Sequence, residues 1–121
     1  YKLGIIANTI TETEIPDWME SDGVSQYFKT VILSSKVRYR KPDPEIYWMA
    51  ARDIGVEPAR CAYVGDNPVR DVDGTRAAGF GLMILFEEPA TLEKEPPTGE
   101  HKPDFVIKET RELLDIFPPR K

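Results

Sequence analysis

The sequence predicts an α/β fold in which a parallel sheet lies between two layers of helices. Short apolar runs alternate with segments of helical spacing, which is the pattern of a doubly wound sheet. Proline, glycine and capping residues mark the ends of these segments. The predicted strands are Leu3–Ala7, Thr30–Leu33, Cys61–Val64, Gly81–Phe86 and Phe105–Ile107. The predicted helices are Pro16–Glu20, Pro44–Asp53, Val69–Ala78 and Thr110–Ile116.

Length and charge narrow the class of protein. With 121 residues the chain has room for a single domain over residues 1–121. A net charge of -5 argues against a nucleic-acid partner, because a phosphate backbone calls for a basic surface. No run approaches the ~18 apolar residues of a membrane span, so we expect a cytoplasmic protein without membrane contact. The single cysteine, Cys61, lies in a predicted buried strand and is expected to serve packing.

Residues 87–103 are polar and rich in proline, which predicts a long exposed loop. The loop follows the carboxyl end of a strand, so it is a candidate for a specificity loop near a site. Its composition favours the alternative, a surface excursion without a role in binding.

An acidic motif follows the strand Cys61–Val64. Gly65 ends the strand and leaves Asp66 at its carboxyl end, where ligands bind in open α/β sheets. Asn67 is a plausible N-cap of the next helix, and Asp71 lies one turn into that helix. Two carboxylates at one crevice suit Mg²⁺, which prefers oxygen ligands and keeps several waters. Alternatively, each aspartate serves only a turn or the helix dipole.

A lysine precedes the helix Pro44–Asp53. Asp43 is the predicted N-cap of this helix, and Pro42 favours an extended conformation at Lys41. An ammonium group held at the mouth of an acidic site can balance phosphate charge and pair with an aspartate. A lysine in this position that stood alone would be expected to be solvated.

Together these motifs resemble the haloacid dehalogenase superfamily, whose members are mostly Mg²⁺-dependent phosphatases of small phosphorylated molecules. The lysine motif is RKPDPEIY over residues 40–47, followed by GVEP over 55–58. The acidic motif is VGD over residues 64–66, followed by Asp71, Gly74 and AAG over 77–79. The resemblance implies a three-layer Rossmann-like sheet. It also implies that Asp66 binds Mg²⁺, that Asp71 is the supporting acid, and that Lys41 steadies the nucleophile and the phosphate as a catalytic residue.

Two parts of the family pattern differ in this chain. Leu3–Ala7 matches the family's second strand, but Ala7 stands where a phosphate-binding serine or threonine is usual. Asn8, through its backbone N–H, and Thr9 are the candidates that remain for phosphate binding there. The family's nucleophilic aspartate, on its first strand, has no counterpart in this sequence, nor has the cap domain. We therefore expect the C-terminal part of a longer protein, inactive by itself.

The absent strand lies at the centre of the family's sheet, so its absence leaves two halves with unpaired edges. Three outcomes are expected as alternatives: the missing N-terminal segment pairs as a separate piece, the strands close up, or the chain associates with itself. The functional alternative is a non-catalytic phosphate- and metal-binding or regulatory module of the same fold. A receiver-like phosphoacceptor domain is disfavoured, because its acidic pair precedes its lysine and here Lys41 precedes Asp66.

Overall fold

The computed structural model describes residues 1–99 and 101–118. The strands are β1 (Leu3–Ala7), β2 (Phe28–Leu33), β3 (Ala62–Gly65), β4 (Leu82–Phe86) and β5 (Phe105–Ile107). The helices are α1 (Glu14–Ser21), α2 (Ser34–Val37), α3 (Pro44–Ile54), α4 (Gly74–Ala78), α5 (Pro89–Lys94) and α6 (Leu113–Ile116). A π-helical turn, Pro68–Asp73, leads into α4, and single 3-10 turns lie at Ser25–Tyr27, Pro58–Arg60 and Thr110–Glu112. Within residues 1–99 and 101–118, no helix has the length and apolar character needed to cross a membrane.

The strands form two parallel sheets. One sheet pairs β1 with β2, and the other has the order β3-β4-β5. The predicted parallel α/β architecture is thus confirmed, with its strands divided into two halves. Among the described residues β1 and β3 do not pair with each other, so the expectation that the strands close up across the gap is wrong. A single hydrogen bond from the Tyr63 hydroxyl in β3 to the Ile6 carbonyl in β1 spans 3.3 Å between the sheets.

Helix α3 packs against both halves. It begins at Pro44, where the Asp43 side chain accepts a hydrogen bond from the Glu45 N–H at 2.9 Å. It ends at Ile54 and is followed by the C-cap residue Gly55, whose φ of 71° suits glycine. One buried face contacts β1, β2 and α4. The Tyr47 ring meets the rings of Tyr63 and Phe80 edge-on, at centroid distances of 5.3 and 5.6 Å. The apolar spacing of α3 therefore holds the two sheets on one core.

The segment 87–103, predicted as a loop, contains the short helix α5. Pro89 is its first residue, and the Glu88 carboxylate accepts a hydrogen bond from the Ala90 N–H at 3.2 Å. A capping acid followed by proline is a readable helix start, which the overall proline content of the segment masks. Most of the described side chains of the segment are exposed, as predicted.

Asp104 joins β4, β5 and α4. Its carboxylate accepts hydrogen bonds from the Met83 N–H at 2.7 Å and from the Arg76 guanidinium at 2.8 Å. Its own N–H donates to the Met83 carbonyl at 2.8 Å. The backbone bond from Met83, with a smaller contribution from Arg76, lowers the pKa of Asp104 below its usual value of 3.8.

We predict that Asp104→Asn lowers the free energy of unfolding by about 1 kcal/mol at neutral pH, a value reduced by the partial exposure of the carboxylate. Because the pKa of Asp104 is lower in the folded protein, this stabilisation is present above pH 3.8, the usual pKa of the group. It is lost as the pH falls through the pKa of the folded state. Urea unfolding of both proteins on either side of that pH should show their difference shrinking with acid. The exposed Asp115→Asn variant is the control, and a difference that stays constant with pH would contradict the assignment.

Candidate functional site

A cavity of about 360 Å³ opens at the carboxyl end of the sheet β3-β4-β5. One wall comes from the turn after β3 and the other from α5, which follows β4. This is the edge at which ligands bind in open α/β sheets. The side chains that line it are those of Lys41, Asp66, Asn67, Arg70, Asp71, Thr91, Lys94 and Glu95.

The base of the cavity holds a buried ion pair. Lys41 and Asp71, 30 residues apart in the chain, meet with 2.7 Å between Nζ and Oδ1. Their side chains are only 13% and 2% exposed. The ammonium also donates to the Tyr63 hydroxyl at 3.2 Å and lies 5.6 Å from the centre of that ring. The structure thus brings the two motifs predicted from the sequence to one site.

Asp71 is held from its other side as well. Its Oδ2 accepts a hydrogen bond from the Asn67 N–H at 2.9 Å, so both carboxylate oxygens have protein donors. Gly65 lies directly against this carboxylate, and a Cβ at that position would overlap it. Asp71 is therefore placed as an acid that supports Lys41 and the loop after β3.

The π-helical turn aims Asp71 inward. Asn67 caps it, with its side-chain oxygen accepting from the N–H groups of Val69 at 3.0 Å and Arg70 at 2.8 Å. The Tyr47 hydroxyl of α3 donates to the Arg70 carbonyl, a partner that this backbone group takes outside its own helix. A widened turn of this kind is frequent at functional sites. The predicted N-cap at Asn67 and helix start at Pro68 are confirmed, one residue before the predicted helix range Val69–Ala78.

Asp66 has a different environment from Asp71. It is exposed at the cavity, and its Oδ2 receives one long bond, 3.4 Å, from the Thr91 hydroxyl of α5. Across residues 1–99 and 101–118 no cluster of three or more histidine, cysteine or acidic side chains is placed to hold a metal ion. Mg²⁺ requires fewer protein ligands, since one or two carboxylates serve it when water and phosphate oxygens complete its coordination. The open carboxylate of Asp66 fits such a partial site.

Asn8 and Thr9, the predicted phosphate contacts, do not line the cavity. The Asn8 side chain brackets the backbone of Lys41, accepting from its N–H at 2.8 Å and donating to its carbonyl at 3.2 Å. The Thr9 N–H donates to the Ser34 hydroxyl at 2.8 Å, and the Thr9 hydroxyl meets that of Ser35 at 2.8 Å. Asn8 thus positions the lysine, and direct phosphate binding by either residue stays a prediction.

Several residues at the site are not among the sequence-based candidates. Arg70 and Glu95 form an ion pair of 3.3 Å across the mouth of the cavity, and Lys94 lies beside them. The Tyr63 hydroxyl accepts a hydrogen bond from the Lys41 ammonium. Two signals in the sequence point to this group: Arg70 comes one residue before Asp71, and the segment 87–103, which contains Lys94 and Glu95, follows the carboxyl end of a strand.

Burial and the charge of Asp71 raise the pKa of Tyr63, and the same two causes raise that of Tyr47. Burial is the larger cause for both. The two phenols therefore stay neutral and keep their donated hydrogen bonds, to Ile6 and Arg70.

A parallel α/β domain with a charged cavity at the carboxyl ends of its strands belongs to a broad class of ligand-binding α/β proteins. Residues 1–84 match the family model described as haloacid dehalogenase-like hydrolase. The match covers more than half of the chain, which therefore belongs to the haloacid dehalogenase-like hydrolase family.

Three relatives illustrate the similarity. The chain is 31% identical over 118 residues to the glyceraldehyde 3-phosphate phosphatase of Methanopyrus kandleri, covering 96% of this chain and 49% of that protein. It is 37% identical over 92 residues to the phosphoserine phosphatase of Thermus thermophilus, covering 76% of this chain and 35% of that protein. The crystal structure of a HAD phosphatase from Thermococcus onnurineus matches with a TM-score of 0.78 and 28% identity, covering 98% of this chain and 51% of that one. The chain thus spans about half of these proteins or less.

We predict that Tyr47 and Tyr63 ionise only when the protein unfolds. Because both folded-state pKa values lie above 10.0, the corresponding stability is present below that pH and is lost as the pH rises above it. In an alkaline titration, the tyrosinate absorbance of Tyr47 and Tyr63 should appear together with the loss of near-UV circular dichroism. The absorbance of each residue is identified as the part that its Tyr→Phe variant lacks. The exposed Tyr27→Phe variant should leave this coupled signal unchanged. Ionisation of Tyr47 or Tyr63 in the native protein would contradict the prediction.

Proposed function

We propose that this chain carries the metal-binding and charge-balancing part of a Mg²⁺-dependent phosphatase that acts on a small phosphorylated metabolite. The observation that carries the proposal is the buried Lys41–Asp71 pair beside the open carboxylate of Asp66 in one cavity. Family membership and the relatives named as phosphatases support it. The dehalogenases among the structural neighbours are below 25% identical and indicate the fold alone.

Each residue has a defined task in this proposal. The Lys41 ammonium, fixed through its backbone by Asn8 and through its charge by Asp71, contacts the phosphate and balances its charge. Asp66 holds Mg²⁺, with Asp71 in support. The bound metal supplies a positive charge that stabilises the transferring phosphoryl group. Groups of this kind contribute on the order of 3 kcal/mol each to lowering the barrier.

The nucleophile, in this proposal, comes from a strand outside these 121 residues. Within the part of the chain that the structure describes, the facing edges of β1 and β3 are unpaired, and the Tyr63–Ile6 hydrogen bond occurs between them. A strand that inserted there would pair with both sheets and end at the same edge as the cavity. Its source would be an N-terminal segment, since a second copy of this chain could fill the gap in the sheet but would bring no nucleophile.

A second candidate function is a non-catalytic module that binds a metal ion and phosphate. Ala7 at the end of β1 favours it, because no hydroxyl is available at that position to bind phosphate. The two candidates can be separated in the longest natural polypeptide that contains this chain. The enzyme is supported if this polypeptide hydrolyses para-nitrophenyl phosphate and if Lys41→Met and Asp66→Asn each abolish the hydrolysis. The module is supported if the polypeptide binds phosphate without turnover.

For the 121-residue chain we predict Mg²⁺ binding that Asp66→Asn weakens by about tenfold or more, because the variant removes the exposed carboxylate. Isothermal titration calorimetry measures the affinity, and Asp115→Asn, an exposed acid on α6, is the matched control. Equal Mg²⁺ affinity for the wild-type chain and Asp66→Asn would refute the metal assignment.

We also expect no hydrolysis of para-nitrophenyl phosphate by the isolated chain. Mg²⁺-dependent turnover that Asp66→Asn removes would show that no further strand is needed.

A further inference from the structure

A second group of charges lies at the mouth of the cavity, apart from the Lys41–Asp71 pair. Arg70 extends from the π-helical turn, while Lys94 and Glu95 lie at the end of α5. All three line the same cavity as Lys41 and Asp66. The side chains of Arg70 and Glu95 are 40% and 35% exposed, with 3.3 Å between Nη2 and Oε1.

We infer that Arg70 and Lys94 form a subsite for a second anionic group on the substrate. This inference rests on the proposed phosphatase function and narrows its substrate class. The class is small phosphate esters whose remaining part bears a carboxylate a few atoms from the phosphorus. A carboxylate suits a guanidinium, since it can accept two parallel hydrogen bonds from it.

The backbone around Arg70 is rigid, which suits a recognition residue. Its N–H is bonded to the Asn67 side chain at 2.8 Å, and its carbonyl accepts from the Tyr47 hydroxyl. Among the described residues its guanidinium is held only by Glu95, in a half-exposed pair of the kind that contributes little to stability. An incoming anion can therefore replace Glu95 as the partner of Arg70 at small energetic cost.

Helix α5 contributes to the site. The Thr91 hydroxyl is bonded to Asp66 at 3.4 Å, and the Glu88 carboxylate caps the first turn of the helix. Lys94, at the end of this helix, lines the cavity. Within residues 1–99 and 101–118 its ammonium has no hydrogen-bond or ion-pair partner, which leaves it available to an anion.

The charges of the lining make Glu95 a competitor for the proposed subsite. The cavity has three cationic side chains, Lys41, Arg70 and Lys94, and three carboxylates, those of Asp66, Asp71 and Glu95, so its net charge is zero. A second anionic group on the substrate binds Arg70 by displacing Glu95. A substrate without that group gains nothing from the displacement.

The test compares methylphosphonate with phosphonoacetate and 3-phosphonopropionate, which add a carboxylate at two spacings and resist hydrolysis. Calorimetry at saturating Mg²⁺ gives the dissociation constants for the longest natural polypeptide that contains this chain. We expect the better carboxylate ligand to bind about tenfold more tightly than methylphosphonate. Arg70→Gln should abolish this preference and Lys94→Gln reduce it, while methylphosphonate binding stays unchanged. Glu95→Gln should enlarge the preference.

A matched pair of controls lies on α3, where Arg52 and Glu45 form an exposed ion pair of 2.9 Å away from the cavity. Arg52→Gln and Glu45→Gln should leave all three affinities unchanged. If methylphosphonate binds and neither carboxylate ligand binds more tightly, the subsite is wrong and the proposed function stands. A preference that survives in both Arg70→Gln and Lys94→Gln also overturns the subsite. If none of the three ligands binds, the proposed function and the subsite fail together.

Discussion

A buried ion pair between Lys41 and Asp71 is the interaction on which the rest of the cavity depends. Removing an ammonium and a carboxylate from water is unfavourable unless their remaining hydrogen-bonding positions are filled. Here the Asn67 N–H and the Tyr63 hydroxyl fill part of them. Lys41 precedes α3, and Asp71 lies in the turn after β3, so the pair also joins segments attached to the two separate sheets.

Three local features make room for this pair or hold it in place. The absence of a side chain at Gly65 leaves room for the Asp71 carboxylate. The π-helical turn, capped by Asn67, turns Asp71 toward Lys41, and the Tyr47 hydroxyl satisfies a carbonyl of that turn. Asn8 fixes the backbone of Lys41. The polar groups of Asn8, Tyr47 and Asn67 therefore maintain one arrangement of charge at the carboxyl edge of the sheet.

The strands could be predicted because apolar runs mark buried strands. The meeting of Lys41 with the acidic motif is implied by the resemblance of the two motifs to the haloacid dehalogenase superfamily. The partners of Asn8 and Thr9 could not be predicted, since Ser34 and Ser35 reach them only after β1 and β2 pair. The Arg70–Glu95 pair likewise depends on where α5 lies. Helix α5 was hidden in a proline-rich polar segment, and the π-helical turn has no distinct sequence pattern.

The most direct test of this account is a double-mutant cycle on the ion pair, with Lys41→Met, Asp71→Asn and the combined variant unfolded in urea. Each single variant should lower the free energy of unfolding by about 3 kcal/mol, because it leaves the other group buried without its partner. The combined variant should fall short of the sum by about 2 kcal/mol. Effects that add to within about 0.5 kcal/mol would contradict the claim that this pair organises the site.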